Sequence, residues 1–194
     1  MSISRRPSRR TAVAIATAGV AGSLIAGFAG AGTALAAPAH PNGFSVVDSY
    51  SSVSGSINYA PGLRKALAHN VTGVLTATAS GYSNAFNGPA AGNGSFTAIL
   101  QGKATLASQN YSGTFTINWP AGTLNPSNGT LSVHSLGNHQ YSVTGTVTSG
   151  ADTGASLSFG YLTTSQKGTG TKAHPVTMQN FVNTSPLTLS RNFG

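Results

Sequence analysis

In residues 111–119, Tyr111, Gly113, Phe115, Ile117 and Trp119 fall on one parity, and Ser112, Thr114, Thr116 and Asn118 fall on the other. A period of two, carried by aromatic and β-branched residues, is the pattern of a strand with one buried face. The stretch also holds the chain's single Trp, so the core is expected on that face. A chain built around such a segment must supply further strands to pair with it, and the remaining sequence does so.

Alternation recurs in residues 53–59, 71–79, 94–106, 129–135, 139–148 and 155–162, with shorter pieces at 44–48, 176–182 and 187–191. Pro61-Gly62 and Leu136-Gly137-Asn138 read as turns, and residues 81–94 and 163–172 read as Gly-rich loops. Residues 63–69, with Leu63, Ala66 and Leu67 on one side, are the only helix-like run and allow one or two turns. The expected fold is all-β: an antiparallel β-sandwich or closed barrel of about eight short strands, in one domain over residues 44–194. Glycines inside the strands, Gly55, Gly73, Gly102 and Gly113 among them, fit the bends of a curved sheet.

A four-residue turn, Ala107-Ser108-Gln109-Asn110, would set Leu106 opposite Tyr111 and Gly102 opposite Phe115. Leu100 would then face Ile117, and Ala98 would face Trp119, with aromatic rings over small residues.

Residues 1–36 read as a signal peptide. Arg5, Arg6, Arg9 and Arg10 precede an apolar run rich in Ala and Gly, and Ala34-Leu35-Ala36 is an A-x-A cleavage site. Ser8-Arg9-Arg10 fits a twin-arginine signal, and an Arg-rich Sec signal fits as well. Residues 37–43 then form a Pro-bearing flexible tail, and no transmembrane segment is expected after cleavage.

The formal charge of +8 falls to +4 without that leader, with six basic residues left against Asp48 and Asp152. Only Arg64-Lys65 is a basic pair in the remainder, which gives no nucleic-acid signature. The absence of cysteine excludes disulfides and thiolate metal sites.

Few chemistries have the residues they need. A two-carboxylate glycosidase requires both groups at one bond, whereas Asp48 falls near a strand end and Asp152 in a Gly-rich turn. Turn or cap duty is expected of each. His134 and His139 fall on opposite parities of one hairpin and so cannot share an ion, while His40, His69 and His174 lie in the tail and loops. No catalytic residue, metal site or cofactor is expected: the chain has no Gly-x-Ser-x-Gly elbow, no phosphate loop and no GxGxxG fingerprint. The candidate ligand-binding residues are Tyr82, Asn84, Phe86 and Asn87, where loop aromatics beside amides could stack on sugar rings and bond their hydroxyls.

Gly55-Ser56-Ile57-Asn58-Tyr59-Ala60-Pro61-Gly62-Leu63, following an Ala-rich leader, resembles a group of small, uncharacterised exported actinobacterial Gly/Ser/Thr-rich β proteins. Ser112-Gly113-Thr114-Phe115 and Gly145-Thr146-Val147-Thr148-Ser149-Gly150 extend the resemblance. Members often carry cysteines, and this chain has none. The resemblance implies a bacterial extracellular location and transfers no site residues. The leading expectation is a secreted, non-enzymatic β protein that contacts extracellular polysaccharide or the cell envelope. A carbohydrate-binding module using the loop aromatics is one alternative, and a hydrolase or inhibitor with a site not visible in the sequence is another.

Overall fold

The computed structural model describes residues 44–192 except Asn87, Ala121 and Gly122, with only the backbone of Phe44. The leader, its cleavage site and the tail over residues 37–43 lie outside the described residues. Nine strands follow in order: β1 (Phe44–Leu63), β2 (His69–Asn84), β3 (Gly88–Pro89), β4 (Gly94–Ala104), β5 (Tyr111–Asn118), β6 (Ser127–Gly137), β7 (Gln140–Gly150), β8 (Ser156–Lys167) and β9 (Val176–Asn192). Each long strand pairs antiparallel with its neighbours in the chain, and β1 pairs with both β2 and β9. The sheet therefore closes in a ring, which leaves the eight long strands no free edge. Register shifts between β1 and β9, β6 and β7, and β8 and β9 make the ring irregular rather than an ideal barrel.

Alternation sends one side of every strand inward. Along β2, Val71, Leu75, Ala77 and Ala79 are buried while Val74, Thr76 and Thr78 are exposed. The middle of the interior is apolar: Phe96 stacks on Phe115 at 5.8 Å and meets Phe159 edge-on at 5.3 Å. Tyrosines and a few polar side chains fill the two ends. One rim carries the β1–β2, β4–β5, β6–β7 and β8–β9 connections; the other carries the β2–β4, β5–β6 and β7–β8 connections.

Several strands outrun their expected length. The pieces at 44–48 and 53–59 are one strand of 20 residues, and β8 absorbs the start of the expected 163–172 loop. The last two pieces join into β9 across Pro186, which has no N–H for the ladder. Asn183 covers that irregularity: its Oδ1 accepts from Val53 N at 3.0 Å, and its Nδ2 donates to the Ser51 and Ser185 carbonyls, each at 3.0 Å.

Three local expectations are corrected. Residues 64–68 form no helix, because their backbone groups bond neighbouring loops, Lys65 N to Gly170 O and Leu106 N to Arg64 O, each at 2.8 Å. The β6–β7 turn is Asn138-His139, with φ of 50° and 61°, a two-residue hairpin turn in which His139 sits exposed. In the β4–β5 hairpin, Ala98 pairs with Phe115 and Leu100 with Gly113, four residues along β5 from the expected partners. The parity survives, so the inward sets are as expected. The turn still has four residues, Thr105 to Ser108, but it lies two residues earlier than expected, closed by a bridge between Ala104 and the fully buried Gln109. Its side chain donates to the Leu106 carbonyl and to Gln179 Oε1 and accepts from Tyr59 Oη.

Candidate functional site

Tyr82 and Asn84 are not in a loop. β2 runs through both, pairing Tyr82 with Tyr50 and Asn84 with Asp48 on β1, and both side chains turn inward and are buried. Tyr82 Oη donates to Asp48 Oδ1 at 2.5 Å, and Asn84 Nδ2 donates to the same oxygen at 2.8 Å. Asn84 Oδ1 accepts from the backbone N–H of Phe86 at 2.9 Å, closing an Asx turn. Phe86 itself is 71% exposed on that turn, and Asn87 lies outside the described residues. Of the four expected ligand residues, the structure brings two together, around a carboxylate rather than at a surface.

That carboxylate meets the chain's other one. Asp152 occupies the β7–β8 turn with φ 56°, a left-handed conformation that Asp tolerates. Its pKa is raised to about 6 by burial first, then by the neighbouring carboxyl of Asp48 through hydrogen bonding and charge, with Arg191 opposing. Arg191 Nη2 stands 3.9 Å from Asp152 Oδ1 and donates to the Thr153 carbonyl at 3.1 Å. Asp48 Oδ2 and Asp152 Oδ2 are both buried without a hydrogen-bond partner. Two neighbouring charges of one sign repel in a low dielectric, which favours a proton on Asp152. Asp152 takes a turn position as expected, whereas turn or cap duty for Asp48 is corrected: it lies within β1, buried, and accepts from Tyr82 and Asn84. The sign available in the sequence was that both stand near strand ends which an up-and-down order places at one rim.

Aromatic rings wall the pair off. Trp119 stacks on Tyr50 at 5.5 Å with 10° between planes, and Tyr82 lies 5.5 Å from each. Trp119 is buried, although against these tyrosines rather than Ala98, and its Nε1 donates to Ser127 Oγ at 3.0 Å. Ser127 Oγ donates in turn to the Ala151 carbonyl at 2.6 Å, one residue from Asp152. Burial, then Asp48, pushes the Tyr50 and Tyr82 hydroxyls well up, so both remain donors at any ordinary pH.

A carboxyl poised near pH 6 has the right acidity for general acid–base work. Its geometry points elsewhere. A glycosidase separates its carboxyls to admit the scissile bond, whereas Asp48 is 1% exposed and held by Tyr82 and Asn84. The arrangement clasps β1, β2, the β7–β8 turn and β9 together.

The other end of the interior holds a second polar knot. Tyr59 Oη contacts Gln109 Oε1 at 2.9 Å and Gln179 Oε1 at 2.8 Å, and Tyr111 Oη reaches Gln109 Oε1 at 3.4 Å. Burial raises the Tyr59 and Tyr161 hydroxyls strongly and the Tyr141 hydroxyl to about 12. Among the described residues, no group of three or more His, Asp or Glu is placed to hold a metal ion.

On the outside, an open trough of about 710 Å³ crosses β5, β6 and β7. Ser112, Ser132 and Thr144 form one cross-strand row, and Thr114, Thr130 and Thr146 form the next. No protein-family model, curated protein or solved structure matches this chain.

Proposed function

We propose that this chain is an exported, non-enzymatic β protein that contacts extracellular polymers or surfaces, and that the trough across β5–β7 is its contact face. The observation that carries this reading is the grid of six hydroxyls over Gly113, Leu131 and Gly145. Rows on an antiparallel sheet repeat at about 4.8 Å across strands and about 6.8 Å along them. Each hydroxyl both donates and accepts, so the grid suits a repeating, hydroxylated, uncharged chain such as a neutral polysaccharide. The burial of Asp48 behind Tyr82 and Asn84 supports a binding role over a hydrolytic one. Export rests on the n-region arginines and on Ala34-Leu35-Ala36.

Co-sedimentation with insoluble cellulose and chitin at high salt tests the contact. The expected result is retention of the protein and its loss in a Thr114→Val, Thr130→Val, Thr146→Val variant, which keeps the β-branched shape without the hydroxyls. No retention, or equal retention of the variant, would overturn the assignment. The intact mass of protein recovered from culture medium tests export, with Ala37 expected as the first residue.

A further inference from the structure

Reading the protein as a polymer binder, we infer that the rim opposite the acid pair is a second, charged docking surface for an acidic polysaccharide. The sequence spaces its cations singly, and the ring collects them. Arg64 and Lys65 lie in the β1–β2 loop, Lys103 is next to last in β4, Lys167 ends β8, and Lys172 lies in the β8–β9 loop. Five of the six Lys and Arg among the described residues thus stand at one rim, and only Arg191 is at the other. His69, His139 and His174 share the cationic rim. Both aspartates are at the opposite rim, so no carboxylate among the described residues neutralises this one.

The surface is continuous. The β1–β2 loop bonds the β8–β9 loop through Lys65 N and Gly170 O, and the β4–β5 loop through Leu106 N and Arg64 O. A cleft of about 340 Å³ opens within it, lined by Lys65, Leu106, Ala107, Asn138, His139 and Tyr141. Lys65, Asn138 and His139 supply donors to an anionic group seated there. Lys65, Lys103, Lys167 and Lys172 are exposed, and their spacing around the rim suits a chain that carries charge at intervals.

A polysaccharide fits better than a nucleic acid because single-stranded recognition requires aromatic platforms for the bases. Tyr111 and Tyr141, near this rim, are buried, and among the described residues the one large exposed aromatic, Phe86, lies at the other end.

The test uses the intact chain with heparin as the probe polyanion, dextran as the neutral control and single-stranded DNA as a competitor, across a salt series. Heparin should bind, with affinity falling steeply as salt rises, as expected when several cations replace counterions. Lys65→Gln with Lys172→Gln, both on exposed loop positions, should weaken binding at least tenfold and leave tryptophan fluorescence unchanged. Arg191→Gln, at the far rim, should bind as the parent does. Equal loss in Arg191→Gln would show a net-charge effect without a site and overturn the proposal. Tighter binding of DNA than of heparin, or salt-insensitive binding, would also overturn it. Retention on cellulose or chitin at high salt reports on the hydroxyl trough alone, so either surface can fail without the other.

Discussion

At one mouth of the ring the carboxyl of Asp152, in the β7–β8 turn, neighbours that of the buried Asp48 on the first strand, which helps burial to raise the Asp152 pKa to about 6. Tyr82 and Asn84 hold the far oxygen of Asp48 from β2, and Arg191 steadies the turn from β9. Four elements distant in sequence therefore converge on two neighbouring acids, of which Asp152 holds its proton up to about pH 6.

That proton makes stability depend on pH in a direction opposite to the usual behaviour of carboxylates. The folded pKa of Asp152 is about 6, above the value near 3.9 of an unfolded Asp. The native state therefore binds more protons between those limits, and stability declines as pH rises from about 4 to about 6. With allowance for partial solvent access, the loss is about 2 kcal/mol. Urea melts of the parent and of Asp152→Asn across this range should show the decline in the parent alone. Asn tolerates the left-handed backbone and keeps a donor toward Asp48. A parallel pH slope in both proteins would mean that Asp152 is not the group whose proton the native state holds.

Tyr82→Phe removes one of the two donors to Asp48 Oδ1 without changing the ring's packing against Trp119. Hydrogen bonds to charged groups contribute about 1.5–3 kcal/mol, and denaturant midpoints should fall accordingly. A loss below about 0.5 kcal/mol would show that water takes the place of the hydroxyl, and that this mouth of the ring is wetter than its packing implies.

Strand character was legible in residues 111–119 because period-two alternation does not depend on the identity of the partner strand. Register was not, because it turns on where along the chain a turn is placed. That place is set by Gln109, which bridges Ala104 and whose amide bonds Tyr59 and Gln179 from the far side of the ring. Tyr82 was misplaced for a related reason. Gly81, Asn84 and Gly88 look like loop residues locally, yet β1 is long enough to pair past Gly81, which adopts a φ of 67° within β2. The acid pair needed ring closure before it could be seen at all. The trough was equally hidden, since only the register sets Ser112, Ser132 and Thr144 in a row.

Trp119→Ala should cost about 3–5 kcal/mol, through lost burial and the cavity left between Tyr50 and Tyr82. The change also strands Ser127 Oγ as an acceptor without its indole donor. Thr116→Ala should cost much less, about 0.5–1 kcal/mol, since Thr116 lies on the outer parity and loses one bond to Asn128. Equal losses in urea melts would place the indole at the surface and make the tryptophan face a binding platform.

The last prediction concerns which glycine lies under Phe115. The hairpin register pairs Phe115 with Gly129 on β6, and a Cβ built on Gly129 would stand 2.7 Å from the Phe115 ring and closer still to the Thr146 carbonyl. An aromatic ring covering a strand glycine packs a bend that no larger residue could occupy. Gly129→Ala must therefore displace both the ring and the β7 backbone, at about 1–3 kcal/mol. Shortening the ring by Phe115→Leu should relieve the first clash and not the second, so the double variant should be more stable than the sum of the single changes. Gly102 provides the contrast. A Cβ there would strike the Asn110 carbonyl and the flank of Tyr111, not Phe115, so Gly102→Ala and Phe115→Leu should add without coupling. Urea melts of the five variants form two double-mutant cycles. Coupling between Gly102 and Phe115, with none between Gly129 and Phe115, would return the turn to residues 107–110 and refute the register of β4 against β5.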